Sequence, residues 1–244
     1  MKKNFTILSA VLITLSSLNV KAQDDKPQAK SYLGLLGGMS APVNNFGQSN
    51  YSNNSAGFAK KGNTIGLDAG IYLRKNFGIG VTFTYQDQGE LNATDVQNLA
   101  NGYNTSFAKN ETYVTAVDRY ENVNLMAGPQ YSFLYKRFTL DLRASAGVIK
   151  SISTPSLGVV FDNSSNSATY LNQLSSGSTA FAYGGSAGLR FSLGDSWDVG
   201  LKCNYINSDG LTIKNTNNPG TVGRFVTKQP ITEIQTTLGI AVKF

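Results

Sequence analysis

Asp68, Arg74, Asp141, Arg143, Arg190, Asp198, Lys202 and Lys243 all fall in the same phase of their segments, the one otherwise filled by small and polar residues. Both signs are present, so the chemistry this set offers is mutual pairing. Proton-transfer chemistry is poorly supplied: the sequence contains no histidine, which removes the commonest general acid and base and every Cys/His zinc pattern. Serines and threonines are plentiful, but no base is placed to activate one, and a lysine-activated serine has nothing to support it. Gly34-Leu35-Leu36-Gly37-Gly38 lacks the spacing and the following Lys-Ser/Thr of a phosphate-binding loop. Asp162, Asp195 and Asp209 fall in connections without regular calcium-loop spacing and read as solvated turn residues. The lone Cys203 has no partner for an intramolecular disulfide. No catalytic residue, cofactor site or metal site is expected, and the chain does not read as an enzyme.

The elements that position the charges are strands. In the last segment Ile234, Thr236, Leu238, Ile240, Val242 and Phe244 alternate with Gln235, Thr237, Gly239, Ala241 and Lys243. A period of two puts these sets on opposite faces of a sheet. Residues 64–74 and 77–86 repeat the pattern, as do 122–131, 138–150, 181–193 and 197–205. A weaker segment from Leu33 to Met39 places Leu36 out of phase. Pro129 lacks an N–H and is expected at a strand end or a bulge.

Which face is bulky decides the environment. The face opposite the large apolar residues carries Gly66, Gly70, Gly78, Gly80, Gly147, Gly184, Gly188, Gly200 and Gly239 together with the charges. Such a face makes a poor hydrophobic core but fills the narrow interior of an eight-stranded barrel. Lipid is then the expected neighbour of the apolar face, and closure is required because an open edge in hydrocarbon leaves backbone groups unpaired. Connections around 75–76, 135–137 and 194–196 are short, whereas 41–62, 88–112, 151–179 and 207–230 are long and polar. That alternation is the pattern of short periplasmic turns and long extracellular loops. Phe77, Phe138, Phe191 and Trp197 lie beside the short turns, and Tyr85, Phe181, Tyr183 and Tyr205 toward the long loops, as two interfacial girdles require. Within the long loops, Thr94-Asp95-Val96-Gln97 resembles a capping box, and Tyr170, Leu171 and Leu174 have helical spacing.

The N-terminus reads as an export signal over residues 1–22: Lys2 and Lys3, an uncharged apolar stretch from Phe5 to Leu18, then Val20-Lys21-Ala22 as the cleavage site. Residues 23–30 form a polar periplasmic tail and 31–244 one barrel domain. Without Lys2, Lys3 and Lys21 the formal charge falls from +6 to +3, too mild to argue for nucleic acid.

The signal, the glycine-rich Tyr32 to Gly38 strand, the Tyr120 to Tyr131 strand and the terminal Phe244 resemble the small porin-like outer-membrane β-barrel domain family, which includes OmpA-type and OmpW-type barrels. The resemblance implies an all-β, eight-stranded antiparallel transmembrane barrel in the bacterial outer membrane. It also implies that Ile240, Val242 and Phe244 are read by the barrel-assembly machinery. Barrel enzymes of that group use a histidine, which this chain lacks. Two roles lead, ahead of an enzyme of unknown mechanism or a soluble β-protein with a ligand cavity: a structural or surface-interaction protein whose extracellular loops meet a ligand or protein, or a narrow channel for small solutes or small apolar molecules.

Overall fold

A computed structural model describes residues 28–108, 111–161, 169–216, 224 and 226–244. The expected signal 1–22, residues 23–27 of the tail and Asp162 lie outside the described residues.

Eight strands, numbered in chain order over the whole molecule, close into one antiparallel barrel. They are β1 (Tyr32–Pro42), β2 (Gly62–Arg74), β3 (Phe77–Gln88), β5 (Glu121–Tyr135), β6 (Phe138–Ser153), β9 (Thr179–Ser192), β10 (Trp197–Ser208) and β14 (Thr232–Lys243). Neighbours in sequence pair with one another, and β1 closes the circle on β14 from Tyr32–Lys243 to Pro42–Glu233. This matches all eight expected strands.

The burial pattern is inside out relative to a water-soluble protein. Leu238 is 68% exposed and Ile65 60%, while the in-phase Gln235, Gln86 and Asn124 are fully enclosed. Enclosing amides while exposing aliphatic side chains is favourable only if the outer surface meets hydrocarbon. The expected girdle aromatics all lie on this outer face, with Phe138 and Phe191 touching at a centroid separation of 5.1 Å. Leu36, out of phase in the sequence, points inward and lies over Gly239, where a side chain would collide with it.

Pro129 corrects the sequence expectation. It sits in the middle of β5, opposite Ile79 of β3, with no bulge there. On the β6 side, pairing stops at Ala127–Ala146 and resumes at Gln130–Arg143 in the same register. The ladder therefore absorbs the missing donor locally instead of ending.

The long connections also differ from loose polar loops. β4 (Thr112–Val117), β7 (Ser156–Phe161), β8 (Thr169–Leu174) and β12 (Lys214–Thr216) form a second sheet in the order β12-β8-β7-β4. β11 (Leu211–Thr212) pairs with β13 (Lys228–Gln229). The segment with helical spacing from Tyr170 to Leu174 is β8 itself: tertiary pairing with β7 overrides the local spacing. The helix expected near 94–97 exists as α2 (Ala93–Phe107), following a single turn α1 (Asn44–Gly47). Its cap lies two residues before Thr94: the Asn92 side chain accepts from the Asp95 N–H at 2.9 Å, and Asp95 accepts from the Asn92 N–H at 3.0 Å.

Candidate functional site

Starting at the end with the short turns, seven of the eight charges singled out in the sequence gather inside the barrel in two clusters. Asp141 accepts from Arg190 Nε at 2.6 Å, and Asp198 accepts from Arg190 Nη1 at 2.7 Å and Lys243 Nζ at 2.8 Å. One level higher, Asp68 sits between Arg143 at 2.9 Å and Lys202 at 2.5 Å. Arg74 stands half-buried at a register shift beside the first short turn.

Uncharged residues join the levels. Gln130 accepts from Arg143 Nε at 2.9 Å and donates to the Tyr72 hydroxyl at 2.6 Å. The Tyr32 hydroxyl donates to Asp68 at 2.9 Å, while Arg190 lies 3.9 Å over the Tyr32 ring. Glycine makes this possible: a Cβ at Gly80 would overlap the Arg143 guanidinium. Each ion is thus paired and hydrogen-bonded, the condition under which buried charge is tolerated. A cavity of about 40 Å³ remains beside Arg190 and Lys202, against Gly34, Gly188, Gly200 and Gly239.

The next level carries an unforeseen residue, Glu233. It is fully buried and accepts from Ser40 at 2.8 Å, Gln235 at 2.9 Å, Gln88 at 3.1 Å and Asn124 at 3.2 Å. A sequence signal for it exists, because Glu233 shares the phase of Gln235, but the apolar alternation starts at Ile234 and leaves it one residue outside. Beside this polar level, inward-facing Met126, Ile149 and Ile206 pack with Phe46, Tyr120 and Ile231 at the barrel mouth.

Above the mouth the outer segments form a cap with a core of its own. Phe58, Leu99, Tyr103, Leu157, Val159, Phe161 and Leu171 pack between α2 and the second sheet. Lys60 ties α2 to the first long connection through Asp95 at 2.7 Å. Arg224 is the junction: its guanidinium donates to the carbonyls of Asn50, Asn53 and Ala56 and lies 5.0 Å over the Phe58 ring. Its carbonyl accepts from the Tyr103 hydroxyl at 3.1 Å, and its N–H donates to the Tyr51 hydroxyl at 3.2 Å. Burial, with Tyr51 nearby, pushes the Tyr103 hydroxyl well above the usual phenol range, and burial does the same to Tyr120.

At the opposite end, the side chains expected as the assembly signal, Ile240, Val242 and Phe244, all project from the outer face. Phe244 donates its N–H to the Ser31 carbonyl at 2.9 Å.

A closed barrel with an apolar outside, an ion-paired inside, short turns at one end and a folded cap at the other defines an outer-membrane β-barrel protein. The family model described as "Outer membrane protein beta-barrel domain" matches residues 10–225, and the chain belongs to that family. No curated protein matches the chain. Among solved structures, Neisserial surface protein A is 14% identical, covering 88% of this chain and 97% of that one, with a TM-score of 0.44. Ail of Yersinia pestis is 12% identical, covering 89% and 99%, at a TM-score of 0.43. A major outer membrane protein of Thermus thermophilus is 12% identical, covering 88% and 99%, at 0.42.

Proposed function

We propose that this chain is a non-enzymatic surface protein, in which the barrel is an anchor and the folded cap is the part that acts, as a structural or interaction surface. The observation that carries this reading is the cap's own hydrophobic core around Leu99, Tyr103 and Phe161. Loops that merely connect strands need no such core. A surface held in one shape loses less entropy when it binds. The outward side of the cap sheet offers Tyr113, Val117 and Leu174, each more than two-fifths exposed. Residues 1–22 serve as the export signal and 23–30 as a periplasmic tail, while Ile240, Val242 and Phe244 are the signal for the assembly machinery.

The test compares cells lacking the protein with cells complemented by the wild type or by Tyr113→Ser/Val117→Ser/Leu174→Ser. Attachment to immobilised matrix proteins, glycans and sister cells is measured at matched amounts of barrel in the membrane. Attachment lost with the triple variant supports the reading; equal attachment by wild type, variant and null cells contradicts it.

The second reading is a narrow channel, favoured by the cavity lined by Gly34, Gly188, Gly200 and Gly239. The ion clusters and the apolar plug at the mouth stand in that path, which is why this reading ranks second.

A further inference from the structure

Glu233 is a fully buried carboxylate, and the side chains of Ser40, Gln88, Asn124 and Gln235 that donate to it are all neutral. Lys202, the inward cation on the neighbouring strand β10, is engaged with Asp68 at 2.5 Å. Four buried amide oxygens of β3 and β5 have no hydrogen-bond partner, Oε1 of Gln86 and Gln88 and Oδ1 of Asn122 and Asn124, and the amide nitrogens of Gln86 and Asn122 are likewise without one. Gln86 and Asn122 are direct cross-strand partners, and Gln88 and Asn124, the next inward-facing positions on β3 and β5, flank that pair on opposite sides and converge on Glu233. An unmatched buried carbonyl is costly, so several beside one buried carboxylate call for a common ligand.

We propose that this level binds a small hard monovalent cation of sodium size, held by the Glu233 carboxylate and the amide oxygens of Gln86, Gln88, Asn122 and Asn124. Oxygen-only donors suit hard cations. The site carries one formal negative charge, which a monovalent ion neutralises without leaving a surplus inside the barrel. Among the described residues no group of three or more His, Cys, Asp or Glu is placed to hold a metal ion, so a transition-metal site is not built here. A primary amide presents N–H₂ and C=O on opposite sides of one rotation. Gln88 and Asn124 can therefore donate to Glu233, as here, or turn their oxygens to an ion beside it. The level lies just below the outer mouth, where the Gln88 backbone N–H donates to the Tyr120 carbonyl at 2.9 Å.

The experiment refolds the full chain in detergent micelles and follows thermal unfolding by the mobility shift between folded and heated protein. Equal ionic strengths of NaCl, KCl, CaCl₂ and choline chloride are compared. The expected result is a midpoint several degrees higher in NaCl than in choline chloride, saturating with concentration and lost in Glu233→Gln. Because Glu233→Gln also disturbs four donors, Asn122→Val serves as the second variant. It leaves Ser40, Gln88, Asn124 and Gln235 in place around Glu233 and should flatten the sodium response while the folded band persists. Identical midpoints in NaCl and choline chloride overturn the site, as does an undiminished sodium response in Asn122→Val. A shift in CaCl₂ alone overturns the monovalent assignment. A midpoint that follows pH but not the identity of the cation means that Glu233 carries a proton instead, which also overturns the site.

Discussion

Arg143 and Asp68, on strands that are not adjacent, meet across the lumen at 2.9 Å, with side chains 1% and 6% exposed. Two guanidinium nitrogens of Arg143 also hold the Gln130 oxygen, at 2.9 and 2.6 Å, and Lys202 shares the same Asp68 oxygen. Among the described residues Asp68 is thus the carboxylate that pairs with both Arg143 and Lys202.

Asp68→Asn should destabilise the barrel by about 3–5 kcal/mol, because it leaves Arg143 and Lys202 facing each other without a counter-charge. Adding Lys202→Met should restore part of that loss, since the two sites share one interaction and their effects do not add. Urea unfolding of refolded protein, read by mobility shift, compares the two. A single variant with wild-type stability would show that the cluster is solvated.

Gly80→Ala, one methyl group, should push the Arg143 guanidinium out of its place. The expected cost is about 1–3 kcal/mol, as for overpacked cores. Gly37→Ala, at a position with open space around it, is the matched control and should change the midpoint little. Equal effects at the two glycines would contradict a lumen packed around Arg143.

Arg224→Met should open the cap and spare the barrel. The lost charged hydrogen bonds to Asn50, Asn53 and Ala56 correspond to about 2–3 kcal/mol of local stability. Limited proteolysis of folded protein should cut the outer segments faster than in wild type, with the heat-dependent mobility shift retained. Loss of the shift would mean that cap and barrel unfold as one unit.

Tyr103 in the cap and Tyr120 at the mouth beneath it give the cap a pH dependence. In the unfolded chain a tyrosine ionises near pH ~10, whereas burial keeps both protonated to higher pH in the folded cap. Their contribution is complete below that unfolded value and is lost as pH rises from it through the raised folded values. Protease sensitivity of the cap should therefore increase above about pH 10. Tyrosinate absorbance should show these two groups ionising after the exposed tyrosines. Simultaneous ionisation of all tyrosines with an intact cap would count against their burial.

The barrel is legible in the sequence because period-two alternation ties each side chain to one face, and every inward charge named from the phase is on a barrel strand. Phase says nothing about which strands face one another across the lumen. The meeting of Asp68 with Arg143 and Lys202 therefore required the closed topology. Glu233 escapes the pattern because it stands at a strand boundary, the least definite property of an alternating sequence. The cap is illegible for a different reason. Its strands are short, β8 has the spacing of a helix, and Arg224 draws its partners from the Asn- and Ser-rich segment 50–56, where no local pattern announces them.

A lumen closed by its ion clusters, with function residing in the cap, is tested most directly by planar-bilayer recording of the purified, refolded protein. Closure predicts no resolvable conductance steps across the voltage range that the bilayer tolerates. Sustained stepwise conductance from folded protein would contradict it and place the channel reading first.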